Sequence, residues 1–398
     1  MKLARRLSVI EPSPTLAVSA KAAKLKAAGV DVIGFGAGEP DFDTPSFIKE
    51  AAKKALDAGA TKYTNVEGTP VLRKAVAKWI GDAHGIPVDP GEVIVSSGAK
   101  QSIFNAMHAL IDDGDEVIIP TPAWVSYNDI VKMAGGKPVN VPTKAEENFN
   151  VRLDDVAKAI TPRTRMILVC SPSNPTGAMY DEATLRGLAK LAVDKDLWLM
   201  TDDIYRMLVY GDGKFFQPAT ISSETKAHTI IIDGVSKAFA MTGWRVGFTV
   251  APKPVVEAMA TIQGQSTTHA AAVAQAASVA ALEGTTEELE NMRQEFDKRR
   301  KVMVARLREI PGVKCVEPKG AFYAFPDLGA FIGKKTPEGK KLENDVQLCE
   351  WLLEAAKVAV VMGSAFGAPG FVRLSYATSM KNIEEGVRRM AEWLPKLV

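Results

Sequence analysis

Apolar residues recur at helical spacing in some stretches of the chain and gather in short runs in others, and the two patterns alternate. After Thr69-Pro70, an N-cap followed by proline at the first helical position, Val71, Leu72, Ala75, Val76, Trp79 and Ile80 mark one face of a helix. Five short runs rich in Val, Ile, Leu or Met, at 92–96, 116–120, 165–170, 197–202 and 229–233, read as strands. Helical patterns separate them, which predicts an α/β fold with a mostly parallel sheet flanked by helices. A polar, helix-favouring stretch at 286–310 reads as one long connecting helix. Beyond it, 321–326 and 370–375 read as strands of a smaller α/β domain, with the N-terminus packed there too. At 398 residues the chain exceeds one compact core. The expected division is a large domain at 46–290 and a small domain built from 1–45 and 291–398.

Composition removes several classes. A net charge of +2, with no basic patch, gives no footing for nucleic acid. No apolar run approaches the roughly 18–20 residues that cross a bilayer. The basic start Met1-Lys2-Leu3-Ala4-Arg5-Arg6 is not followed by the apolar segment of a secretion signal. Cys170, Cys315 and Cys349 are too far apart to suggest a disulfide framework, so a reducing cytoplasm is expected. His84, His108, His228 and His269 lack metal-ligand spacing, and no metal is expected.

The chemistry concentrates at the strand exits, which converge on one rim of a parallel sheet. These exits are Ser97-Gly98-Ala99-Lys100, Thr121-Pro122-Ala123-Trp124, Ser171-Pro172-Ser173-Asn174-Pro175-Thr176-Gly177, Asp202-Asp203-Ile204-Tyr205 and Gly234-Val235-Ser236-Lys237. Two other motifs lead nowhere. Gly34-Phe35-Gly36-Ala37-Gly38 hints at a dinucleotide loop, but Glu39-Pro40-Asp41 cannot continue as the required helix. Ser97-Gly98-Ala99-Lys100 has the spacing of a serine acylase without that family's partner motifs.

The segments 171–177, 202–205 and Ser236-Lys237-Ala238-Phe239-Ala240-Met241-Thr242-Gly243-Trp244-Arg245 resemble the signatures of class I aminotransferases, in that family's order and spacing. With Gly38-Glu39-Pro40-Asp41 near the start and Arg373 near the end, the resemblance spans nearly the whole chain. It implies the type I pyridoxal-phosphate fold, pyridoxal 5′-phosphate as cofactor, amino acids and 2-oxo acids as substrates, and a homodimer with shared sites.

The same resemblance distributes the roles. Lys237 is the amine that bonds to the cofactor aldehyde and later moves the substrate proton. Asp202 keeps the pyridine nitrogen protonated. Asp203 competes for that role, but strand alternation turns neighbours to opposite faces, and the family's three-residue step to tyrosine selects Asp202. Tyr205 and Asn174 match the donors to the phenolic oxygen, and Trp124 the ring that stacks on the pyridine. Gly98, Ala99 and Lys100 open the helical pattern 101–110, so backbone N–H groups there can face the phosphate, joined by Ser236 and Arg245. Tyr63 matches a tyrosine that reaches the phosphate of the neighbouring subunit. Arg373 matches the clamp on the substrate α-carboxylate, assisted by Asn174 and the backbone at Gly38.

For the substrate side chain, 263–269 holds no arginine. The chain is instead similar to a subgroup with Gly-x-Lys-Gln, here Gly98-Ala99-Lys100-Gln101, whose lysine binds a distal carboxylate. Lys100 at a helix start opposes the helix dipole, which a substrate anion would explain. Aspartate and glutamate, with oxaloacetate and 2-oxoglutarate, are therefore the expected substrates. A prephenate or aromatic aminotransferase is the alternative, as some members of that subgroup transaminate prephenate and Gly68-Thr69 resembles theirs. A β-lyase or decarboxylase would use the same residues. A non-catalytic sensing module would carry a DNA-binding domain ahead of the signatures, which begin by Gly38.

Overall fold

The computed structural model describes residues 3–10, 12 and 14–398, so the basic start at Met1-Lys2 falls outside the described residues. Among the described residues the centre is a seven-stranded sheet of Val93–Ser96 (β1), Glu116–Thr121 (β2), Lys137–Pro142 (β3), Thr164–Cys170 (β4), Trp198–Asp202 (β5), Thr229–Gly234 (β6) and Gly247–Val250 (β7). The order across the sheet is β1-β7-β6-β5-β4-β2-β3, and only β7 runs against the others. β1, β2, β6 and β7 are buried throughout, as are the central residues of β4 and β5. That double burial explains why these strands are continuous apolar runs rather than alternating ones.

The five predicted strands are present, with ends shifted by a residue, and two more join them. β3 has the sequence KPVNVP and lies at the sheet edge, largely out of the core. An edge tolerates its two prolines, and those prolines hide it from a strand reading. β7 follows directly on the Trp244-Arg245 motif.

The predicted helix after Thr69 runs Pro70–His84, with the Thr69 hydroxyl accepting from the Leu72 N–H. The long connection is the helix Glu287–Arg308. It buries Leu289, Met292, Phe296, Met303 and Leu307 and packs against the C-terminal helix Met380–Trp393. Again among the described residues, Tyr323–Ala324, Val361–Met362 and Val372–Ser375 form a small antiparallel sheet. Ile33–Gly34 pairs in parallel with Val358–Ala359, which ties the N-terminal segment to the C-terminal part of the chain. No helix of the described residues is long and apolar enough to cross a membrane.

Candidate active site

The carboxyl-end rim of the sheet opens on a cavity of about 690 Å³. β5 delivers Asp202 as its last residue, and the side chain lines the cavity while remaining 4% exposed. Its Oδ2 accepts from the Tyr127 hydroxyl at 2.6 Å and its Oδ1 from the Ile204 N–H at 3.3 Å. Burial pushes this carboxyl up to about 6 against the pull of those two donors. Asp203 faces away from the cavity, as strand alternation requires, and accepts from Gln217 Nε2 at 2.5 Å and Thr201 Oγ1 at 3.3 Å.

β6 ends at Gly234, and the short helix Val235–Ala238 then presents Lys237 to the same cavity. Lys237 Nζ donates to the Gly38 carbonyl at 2.7 Å. Burial pulls the amine down to about 8; Glu39 opposes that shift, Arg245 and Arg373 reinforce it, and Asp202 opposes it weakly. The turn bearing Asp202 and the turn bearing Lys237 are tied by a buried ion pair, Arg206 Nε to Asp233 Oδ2 at 2.7 Å. The other oxygen of Asp233 accepts from the Gly234 N–H at 2.7 Å.

Arg373, in the middle of Val372–Ser375, is 2% exposed. It donates to Asn174 Oδ1 at 2.9 Å and to the Gly36 carbonyl at 2.8 Å. Its Nε is buried without an acceptor, and among the described residues no carboxylate pairs with it. A buried guanidinium that is hydrogen-bonded only to neutral groups, beside a cavity, is prepared for an anion from outside. Tyr205 and Tyr323 share a hydrogen bond at 2.9 Å on the same wall.

On the opposite wall, no side chain caps the helix Ala99–Leu110 at Gly98, and Ala99 and Lys100 line the cavity. A Cβ on Gly98 would lie 2.6 Å from Arg245 Nη2, so the guanidinium rests against the bare backbone there. Lys100 Nζ sits 4.8 Å from the centre of the Trp124 ring, and burial first, Arg245 second, lower its pKa. Ser236 completes this side.

One cavity thus gathers Gly38, Ala99, Lys100, Trp124, Asn174, Asp202, Tyr205, Ser236, Lys237, Arg245 and Arg373. Gly98 lies just behind its wall. Tyr63 does not line it; the ring is 90% exposed and packs edge-on against His269 at 5.7 Å. Among the described residues no cluster of metal-binding side chains occurs. Tyr127 and Tyr323 are among the lining residues that the sequence did not single out. Tyr127 follows Trp124 by one helical turn, a spacing that could have flagged it, and Tyr323 sits in an apolar strand as an isolated hydroxyl.

The arrangement has an amine, a buried acid and a set of anion donors around one space. Residues 30–390 match the family model for aminotransferases of class I and II.

The chain belongs to that family.

Among its aminotransferase relatives, the aspartate/prephenate aminotransferase of Nitrosomonas europaea is 48% identical over 99% of this chain and 100% of its own. The crystal structure of the aspartate aminotransferase from Rhizobium meliloti superposes with a TM-score of 0.96 at 44% identity, covering all of both chains. The aspartate aminotransferase from Thermus thermophilus solved with maleate gives 0.92 at 44% identity, covering 98% of this chain and 99% of that one. The aminotransferase fold is therefore that of the type I enzymes, a mostly parallel sheet flanked by helices with a smaller α/β part.

Proposed function

We propose that this aminotransferase exchanges amino groups between aspartate or glutamate and the oxo acids oxaloacetate and 2-oxoglutarate, with pyridoxal 5′-phosphate as cofactor. The observation that carries the reading is the convergence of Lys237, Asp202, Asn174, Tyr205 and Arg373 on one cavity from four separate segments. The residues present fit the cofactor. Among the described residues, Lys237 is a half-buried amine whose hydrogen bond goes to a carbonyl, Asp202 a buried carboxylate without a cation in hydrogen-bonding reach, and Gly98-Ala99 an uncapped helix start beside Arg245.

When bound, pyridoxal phosphate supplies an aldehyde and an electron-withdrawing ring that eases loss of the substrate Cα proton. Asp202 holds a proton on the ring nitrogen. Ala99, Lys100, Ser236 and Arg245 would hold the phosphate, Trp124 would stack on the ring, and Tyr205 and Asn174 would donate to its phenolic oxygen. Arg373 clamps the α-carboxylate with a planar fork, assisted by Gly38 and Asn174. Lys237 would hold the aldehyde through its amine and would then move the Cα proton. Lys100 pairs with the distal carboxylate; maleate, a dicarboxylate, in the Thermus enzyme supports that choice. The name of the Nitrosomonas relative favours prephenate as a second acceptor.

We further assign the large domain to 46–290 and the small one to 1–45 with 291–398, which the pairing of Ile33–Gly34 with Val358–Ala359 supports. The unit is a homodimer in which Tyr63 serves the neighbour's phosphate. Three free, buried cysteines accord with a reducing cytoplasm.

Single amino acids mixed with the holoenzyme test the reading through the cofactor absorbance. Aspartate and glutamate are expected to convert the band fastest. Lys100→Ala is expected to slow them by about ten- to a hundredfold, the worth of a charged hydrogen bond, and apolar donors by much less. Equal losses would remove Lys100 from side-chain recognition, and no conversion by any amino acid would sink the function.

A further inference from the structure

Tyr63 is exposed, yet the loop that carries it is held in place by several side chains. Gln263 Nε2 donates to the Val66 carbonyl at 2.6 Å, and the Thr69 N–H donates to Gln275 Oε1 at 2.8 Å. Gln275 Nε2 donates to Thr64 Oγ1 at 3.0 Å. The contact nearest Tyr63 comes from His269, whose ring meets the tyrosine ring edge-on at 87° and whose Nε2 lies 3.3 Å from the Thr64 backbone nitrogen.

The partners of His269 engage both nitrogens of its ring. Nδ1 lies 2.7 Å from the Ala270 carbonyl, which can only accept, so Nδ1 carries a proton. The Thr64 N–H can only donate, so Nε2 carries none. The ring is used at both nitrogens and at its edge. Thr268, just before it, has φ of +64°, a left-handed conformation that a β-branched residue adopts at a cost of order 1–3 kcal/mol. The loop accepts that strain at the step that brings His269 beneath Tyr63. An aromatic residue held in solvent by a fully engaged neighbour, itself set in place by a strained residue, is built to be presented to something outside its own chain.

We propose that His269 is a positioning residue that holds Tyr63 in its outward pose, so that the phenol can complete the cofactor-phosphate site of the neighbouring subunit. This rests on the reading of Tyr63 as a phosphate donor in trans. His269 does not line the cavity of its own chain; it acts by fixing the Thr64 backbone and the tyrosine ring.

The dissociation constant of pyridoxal phosphate, titrated by absorbance into cofactor-stripped full-length protein, measures this in a double-mutant cycle. Tyr63→Phe is expected to raise the constant about tenfold, as loss of a hydrogen bond to a charged group does. His269→Ala is expected to raise it about threefold or more, because a loosened tyrosine spends time out of reach. In the Tyr63→Phe background, His269→Ala should then change nothing further. If the two effects instead multiply, His269 acts on the cofactor by another route and the positioning role is overturned, while Tyr63 keeps its role. If Tyr63→Phe leaves the constant unchanged, the trans reading falls and the positioning role falls with it. Should His269→Ala melt markedly earlier than the parent, His269→Asn goes through the same cycle with the same expectations. It removes the ring edge while keeping polar groups for the Ala270 carbonyl and the Thr64 N–H.

Discussion

In the proposed reaction Lys237 has two tasks that pull on one property. To bond with an aldehyde its amine must be neutral, and an ordinary lysine at pH 7 is overwhelmingly protonated. Burial lowers this amine to about 8, and the cations Arg245 and Arg373 add to the shift. Glu39 and Asp202 limit it, so the lysine stays near the working range. The folded-state value lies below that of a free lysine, so the neutral form gains population as pH rises through about 8 and saturates above it. Uptake of pyridoxal phosphate by the cofactor-free protein should follow that curve, its rate rising from pH 6.5 to a plateau at about 9 in stopped-flow absorbance. A rate still climbing tenfold per unit beyond pH 9.5 would mean that burial does not lower the Lys237 amine.

Three strand ends meet at Gly247, which pairs with Ser96 of β1 on one side and Gly234 of β6 on the other. A Cβ there would collide with the backbone of Gly98 and Ala99, and backbone cannot swing aside as a side chain can. Gly247 therefore sets how closely the helix Ala99–Leu110 approaches the sheet, and with it the resting place of Arg245. Gly247→Ala is expected to cost about 1–3 kcal/mol by overpacking and to weaken cofactor binding as the helix start is displaced. Thermal melting and cofactor titration on the same sample report both; a melt lowered with cofactor affinity intact would separate the helix start from the phosphate site. This element was half legible beforehand. The apolar runs of β1, β2, β4, β5 and β6 marked the rim, and the exits of these runs carried Lys100, Trp124, Asn174, Asp202 and Lys237 to it. The edge strand β3 was hidden by prolines that only an edge accepts. Tyr127 and Tyr323 were hidden because a buried tyrosine in an apolar context looks like core until the hydroxyl's partner, Asp202 or Tyr205, is known.

At the scale of the whole molecule the decisive question is whether one chain makes a complete site. Its cavity holds Lys237, Asp202, Arg373 and most of the proposed phosphate donors, while Tyr63 is exposed and does not line it. If two chains pair so that each lends its Tyr63 to the other, two different defects can cancel. In a hybrid of one Lys237→Ala chain and one Tyr63→Phe chain, one site carries both lesions. The other draws its lysine from the Tyr63→Phe chain and its tyrosine from the Lys237→Ala chain, and is intact. Random pairing of equal amounts makes about half the dimers hybrid, so about a quarter of all sites are restored, by the two-fold symmetry of such a pair. Measured at a cofactor concentration too low to load the Tyr63→Phe homodimer, co-expressed chains should recover about that fraction of the parent's aspartate turnover. Were Tyr63 to serve its own chain, every site in the mixture would carry one lesion, and co-expression would give no more than the mean of the two variants made separately.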